Sequence, residues 1–236
     1  MDFATPQFWL AAVEIIVINI LLSGDNAVVI ALACRNLPPK QKRWGLIWGA
    51  LGAIVLRVVL TVFAVGLLTL PWLKIAGGIA LVWIGIRLID PADDGGVDVK
   101  ANDRLLAAVW TVIVADLVMS IDNVLGVAAA AKGSLVLLLF GLALSIPLII
   151  AGAQLVLKAI ERYPVLIVAG GGLLGWIAGE LCIDDTTIAA WVDAQAPWLD
   201  WAAPIAGVVL VVGVAKWRVL RRQVTRDEGA PAERSK

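Results

Sequence analysis

The chain is dominated by apolar runs long enough to cross a bilayer, and these fix its solvent before anything else is read. An α-helix needs about 20 predominantly apolar residues to span ~30 Å of hydrocarbon. That ruler marks seven stretches, near 8–33, 44–68, 72–89, 105–131, 134–158, 164–181 and 201–219. Lipid offers no hydrogen bonds, so each run must satisfy its own backbone as a helix. Charged residues make up only 16% of the chain and gather at the run ends, which excludes a water-soluble globular domain. The expected fold is all-α and polytopic, with one transmembrane domain over 1–219 and a disordered cytoplasmic tail over 220–236. The opening "MDFATPQF" has neither a basic n-region nor a small-residue cleavage site, so the first span is expected to be retained.

Orientation follows from the basic residues. With the N-terminus outside, Arg35, Lys40, Lys42, Arg43, Arg87, Lys100, Arg104, Lys158, Arg162 and the seven from Lys216 onward fall in the cytoplasm. Only Lys74 and Lys132 fall outside, and Arg57 lies within a span, so the positive-inside rule selects N-out, C-in. Trp9, Trp44, Trp72, Trp198, Trp201 and Trp217 lie near run ends, as an interfacial belt requires. Net charge is zero, which leaves no basic footprint for nucleic acid. Histidine is absent, which excludes His-held haem, His-based zinc sites and imidazole relays.

The chain also resembles itself. "LLSGDNAVVIALA" (21–33) aligns with "VMSIDNVLGVAAA" (118–130), and "PWLKIAGGIALVWIG" (71–85) with "PVLIVAGGGLLGWIA" (164–178). Each unit holds three spans, an odd number, so repeat one (8–89) and repeat two (105–181) should lie inverted in the membrane, as in alternating-access carriers. The seventh run, 201–219, is then a peripheral addition.

Five acids fall inside the runs: Glu14, Asp25, Asp116, Asp122 and Glu180. Each costs about 2.5–3.5 kcal/mol at a helix centre on insertion scales. Arg57 is the only base among them, so a bound cation or bound protons must neutralise the remainder. Asn19, Ser23 and Asn26 are spaced i, i+4, i+7, as are Asp116, Ser120 and Asn123, which puts one oxygen-rich stripe on each helix. Asp25 and Asp122 lie about 100° off those stripes, and an unwinding at Gly24 would bring Asp25 round. Carboxylate, amide and carbonyl oxygens are hard donors, suited to Mn²⁺, Mg²⁺ or Ca²⁺. The expected metal set is Asp25, Asn26, Asp116, Asp122 and Asn123, with Ser23, Ser120 and Asn19 ancillary. Met119 is either a soft ligand favouring Mn²⁺ or a core filler. Glu14 is a vestibule residue or a solvated one, Glu180 a gate or an interface residue, and Arg57 a counter-charge that orients a carboxylate.

These motifs, "LSGDNAVVIALA" and "DLVMSIDNVLGVAAAA", resemble those of the TerC family of integral membrane proteins, in particular its short YjbE-like branch, within the wider LysE group of exporters. The resemblance extends to about residue 219. It implies a bacterial inner-membrane protein exporting manganese, with links to tellurite resistance, and it places the site on Asp25, Asn26, Asp116, Asp122 and Asn123. The transported Mn²⁺ is cargo, and no organic cofactor is expected. Three like charges left in a low-dielectric pocket once the ion departs repel one another, so protons are expected to replace it. An aspartyl hydrolase is disfavoured by the symmetric placement of the acids and the lack of Gly-x-Gly-Asp, so the chain is not expected to be an enzyme. An accessory role in metal loading of secreted enzymes, another cargo (Ca²⁺ or an amino acid), and assembly as a homo-oligomer stay open.

Overall fold

The computed structural model of the chain describes Trp9, Val13 and residues 24–68, 70–90, 101–130 and 135–228, with the backbone alone for some of these, Asp122 and Asn123 included. The described residues form eight helices and no strand: α1 (Gly24–Cys34), α2 (Pro39–Leu68), α3 (Leu73–Ile89), α4 (Ala101–Ala130), α5 (Leu135–Arg162), α6 (Val165–Ile183), a short α7 (Ala189–Gln195) and α8 (Leu199–Glu228). Five segments are both long and apolar enough to cross: Pro39–Thr61, Asn102–Ile121, Leu142–Arg162, Val165–Ile183 and Leu199–Arg222. The apolar α3 has 17 residues, short of the usual crossing length. Of the predicted span 8–33, only Trp9, Val13 and the residues from Gly24 onward are described.

Helix ends overrun the apolar runs where charge begins. The first turn of α4 includes Asp103, and α8 continues to Glu228 through the segment expected to begin a disordered tail. Residues 229–236 lie outside the described residues.

The outward-facing side chains are large and apolar: Val55, Phe63, Trp110, Leu155, Val165 and Val209 are all at least 60% exposed. A helical protein that turns such residues outward on nearly every long helix is built for lipid. The belt tryptophans Trp9, Trp44, Trp72, Trp198, Trp201 and Trp217 are exposed too.

Inside, α1 is sandwiched between two apolar clusters. One joins Ala27 and Ile30 to Ala50 and Ile54 of α2, Val112 of α4, and Leu142 and Ala153 of α5. The other joins Val29 and Ala31 to Leu81 and Ile84 of α3, Ala115 and Met119 of α4, and Leu174 and Ala178 of α6. The heaviest packing is α6 on α8, α2 on α4 and α3 on α6, followed by α1 on α5. At the α6–α8 seam the backbones touch: a Cβ added at Gly175 would lie 2.7 Å from the Gly207 carbonyl carbon, and one at Gly179 would lie 2.6 Å from Pro204 Cα. Only glycine permits that approach.

A polar clasp closes one end of the bundle. Asp185, fully buried in the turn after α6, accepts hydrogen bonds on Oδ1 from the Trp72 N–H (3.2 Å), the Thr187 N–H (3.0 Å) and the Thr187 hydroxyl (2.6 Å). On Oδ2 it accepts the N–H groups of Lys74 (3.1 Å) and Ile75 (3.4 Å). These serve the first turn of α3, whose own N-cap residue Trp72 has a left-handed backbone (φ 65°) and no capping side-chain bond. Burial pushes the Asp185 carboxyl up, but the bonds from Thr187, Trp72 and Ile75 outweigh it and hold the group at about 2. At the opposite end of α3, buried Asp90 meets Arg222 of α8 at 3.4 Å. Cys34 and Cys182 are both free thiols.

Candidate cation site

Consecutive helical residues point about 100° apart, and the fold uses Asp25 and Asn26 for different tasks. Asn26 is buried toward α2 and α4, where its Nδ2 donates to Asp116 Oδ1 at 2.8 Å. Arg57 Nη2 donates to the same oxygen at 2.9 Å, and Arg57 Nε donates to Ser120 Oγ at 3.1 Å. Ser120, one turn beyond Asp116, donates its hydroxyl to Asp116 Oδ2 at 3.1 Å. Arg57 is 2% exposed and Asp116 4%. Such desolvation is tolerated only where an ion pair is completed by further hydrogen bonds, and here α1, α2 and α4 each contribute.

Asp25 faces the other way. Its Oδ1 accepts the Asn26 N–H at 2.8 Å, and the side chain lines a cavity of about 400 Å³ with Met119, Glu180, Asp184 and Asp200. Among the described residues, four carboxylates and no basic residue line this space. Glu180 also accepts the Trp176 indole N–H at 2.7 Å. Met119 is a member of the apolar core, one of its two readings, and it also stands at the cavity wall.

The donors fit a hard divalent cation in kind. Besides the carboxylates there is Asn26 Oδ1, a buried carbonyl oxygen with no hydrogen-bond partner among the described residues. Asn26 and Asp116 also line a void of about 10 Å³, together with Val29, Ile30, Ala53 and Val112. That is room for one water at most.

The expected residues thus divide into two groups. Asn26, Asp116, Ser120 and Arg57 form one buried network, while Asp25, Met119 and Glu180 share the cavity. Asp25 and Asp116 do not converge on one point as the sequence led us to expect, because Asp116 is committed to Arg57. Among the described residues, no group of three or more Cys, Asp or Glu stands close enough to hold a metal. The side chains of Asp122 and Asn123, and the whole of Glu14, Asn19 and Ser23, lie outside the described residues. Gly24 and Asp25 are the first residues described in α1 and are helical, those just before them lie outside the described residues, and the α4 backbone is helical through Asp122. Asp184, Asp185 and Asp200 were not singled out from the sequence. The run "CIDDTTIAA" carried a signal for Asp184 and Asp185, since two acids before paired threonines after a span make a natural cap.

The Integral membrane protein TerC family matches residues 4–224. The uncharacterized membrane protein YjbE of Bacillus subtilis is 40% identical over 206 residues, 87% of this chain and 94% of the relative. YceF of the same organism is 29% identical over 182 residues, covering 73% of this chain and 70% of the relative. The UPF0053 protein YegH of Escherichia coli is 23% identical, and its matched part is 35% of that protein. No solved structure matches. With a match over nearly the whole length, and with helices turned outward for lipid around a buried polar network, this chain belongs to the TerC family of integral membrane proteins.

Proposed function

We propose that the protein is a secondary-active carrier that exports a divalent cation, most plausibly Mn²⁺, in exchange for protons. The observation that carries this reading is the position of Asp25. It stands in the wall of a carboxylate-lined cavity, and its chain neighbour Asn26, whose Oδ1 has no hydrogen-bond partner among the described residues, belongs to the network that ties both motif helices together. Hard oxygens set in an apolar bundle are suited to a hard cation and little else. The cavity reaches the 184–200 segment, the side that the basic-residue count assigns to the exterior, so the conformation reads as outward-facing, with N-out and C-in. The packing partners also agree with an inverted pair of three-helix repeats: exchanging α1 for α4, α2 for α5 and α3 for α6 turns the α2–α4 contact into the α5–α1 contact and the α3–α6 contact into itself. A bacterial inner-membrane location follows from the same reading.

The test is reconstitution in liposomes loaded with Mn²⁺ and a pH-sensitive dye. Efflux should draw protons inward and accelerate under an imposed proton gradient, and Asp25→Ala or Asp122→Ala should abolish it. Efflux that moves no protons would refute the exchange, and full Mn²⁺ affinity in either variant would refute a site shared by the two motifs.

A further inference from the structure

We infer that Arg57 is a built-in rival of the exported cation for Asp116, a tethered positive charge that the cargo must displace and that reclaims the carboxylate when the cargo leaves. The inference rests on the export reading above and deepens it.

The donors around Asp116 carry the argument. Oδ1 takes both Asn26 Nδ2 and Arg57 Nη2, and Oδ2 takes the Ser120 hydroxyl, which itself accepts from Arg57 Nε. Arg57 therefore grips Asp116 twice, once directly and once through Ser120. The two oxygens of Asp116 thus serve three donors, and Asp116 is not among the described residues that line the cavity in which Asp25 stands. A divalent ion brought to Asp116 would lie beside the guanidinium in a site shut off from water, where like charges repel strongly. One of the two cations must yield.

This arrangement also accounts for Asp116 on the proton-loaded return, leaving the exchanged protons to the other carboxylates. A bare carboxylate in the bundle centre is costly, and Arg57 supplies the missing positive charge without any bound ion. When the cation arrives, Asn26 is already placed to change partners: its Nδ2 holds Asp116 while its Oδ1 stands unengaged among the described residues. The amide can thus sense both the ion and the carboxylate.

The inference makes an unusual demand, that removing a buried ion-pair partner should strengthen binding of the ligand. The experiment is direct titration of purified full-length protein in detergent with Mn²⁺, read from the six-line electron paramagnetic resonance signal of the free ion. Arg57→Gln should bind Mn²⁺ about tenfold or more tighter than wild type, because a competitor has gone and the site is more negative by one charge. Arg57→Lys keeps the charge but cannot grip both Asp116 and Ser120 with a rigid fork, so it should fall between the two, and it remains informative if the glutamine variant does not fold. Weaker binding in folded Arg57→Gln, or in Arg57→Lys, would overturn the inference and make Arg57 an orienter of Asp116. Wild-type protein that binds Mn²⁺ without transporting it would overturn the export reading alone. Protein that binds none, in wild-type and variant forms alike, would overturn both.

Discussion

Asp185 is the residue whose removal should be felt farthest from where it sits in sequence. Replacing it with alanine deletes five hydrogen bonds at once and strands the N–H groups of Trp72, Lys74 and Ile75 at the start of α3. Loss of a single N-cap costs about 1 kcal/mol and up to about 2. Bonds to a charged acceptor are stronger than that, and a buried donor left alone costs about 1–3 kcal/mol. The left-handed backbone at Trp72 adds to the burden, because a bulky residue at positive φ persists only where its surroundings hold it. Partial rehydration of the freed groups works against these costs, so roughly 3 kcal/mol is expected for Asp185→Ala. In a chain of this size, where 1 kcal/mol moves the midpoint by about 2–4 °C, the apparent Tm in detergent should fall by about 6–12 °C. Asp185→Asn keeps one acceptor oxygen and should lose about half as much. The pH dependence has a fixed sign. A carboxyl held down at about 2 against an ordinary 3.8 contributes stability that is complete above the ordinary value and fades as pH falls toward 2. Wild type should therefore lose stability across that window while Asp185→Ala should not. An alanine variant that melts within about 1 °C of wild type, against the ~6–12 °C expected, would refute the account of the clasp.

Two further outcomes are expected. Gly175→Ala should loosen α8 from α6 by about 2–3 kcal/mol, the cost of forcing a methyl group against backbone, measured as a lower melting temperature; an unchanged temperature would show that the seam can widen freely. Glu180→Gln combined with Asp200→Asn should slow Mn²⁺ association about threefold to tenfold at low salt, with the effect fading as salt rises. Stopped-flow rates that are unaffected, or a loss independent of salt, would remove the cavity carboxylates from the ion's path.

The apolar runs located the long helices among the described residues because burial in lipid leaves its mark on each residue in turn, whereas the helical turn around Asp103 and the helix beyond residue 220 leave no such mark. That Arg57 would pair with a carboxylate was legible because a lone base among acids in lipid has few choices, but which acid it takes was not. What the sequence could not reveal was direction. Asp25 and Asn26 are neighbours in the chain, yet one faces a cavity and the other a buried ion pair, and nothing in "GDN" says which. Ala27, one residue further on, lies against Gly152 of α5. Asp185 escaped notice because its task depends on a partner segment 110 residues upstream, brought near only by the packing of α3 on α6.

The backbone seam between α6 and α8 has a consequence for synthesis. By the time α6 leaves the ribosome, its partners α1 and α3 have already been made, but the glycine face at Gly175 and Gly179 has nothing to meet. Its cover is written some tens of residues further on, a delay of a few seconds at about 5–20 residues per second. For that interval bare helix backbone faces lipid, able to join any small-residue helix that drifts past. It is thus α8 that closes this seam, and a chain halted before Leu199 would reach the membrane with the glycine face of α6 open.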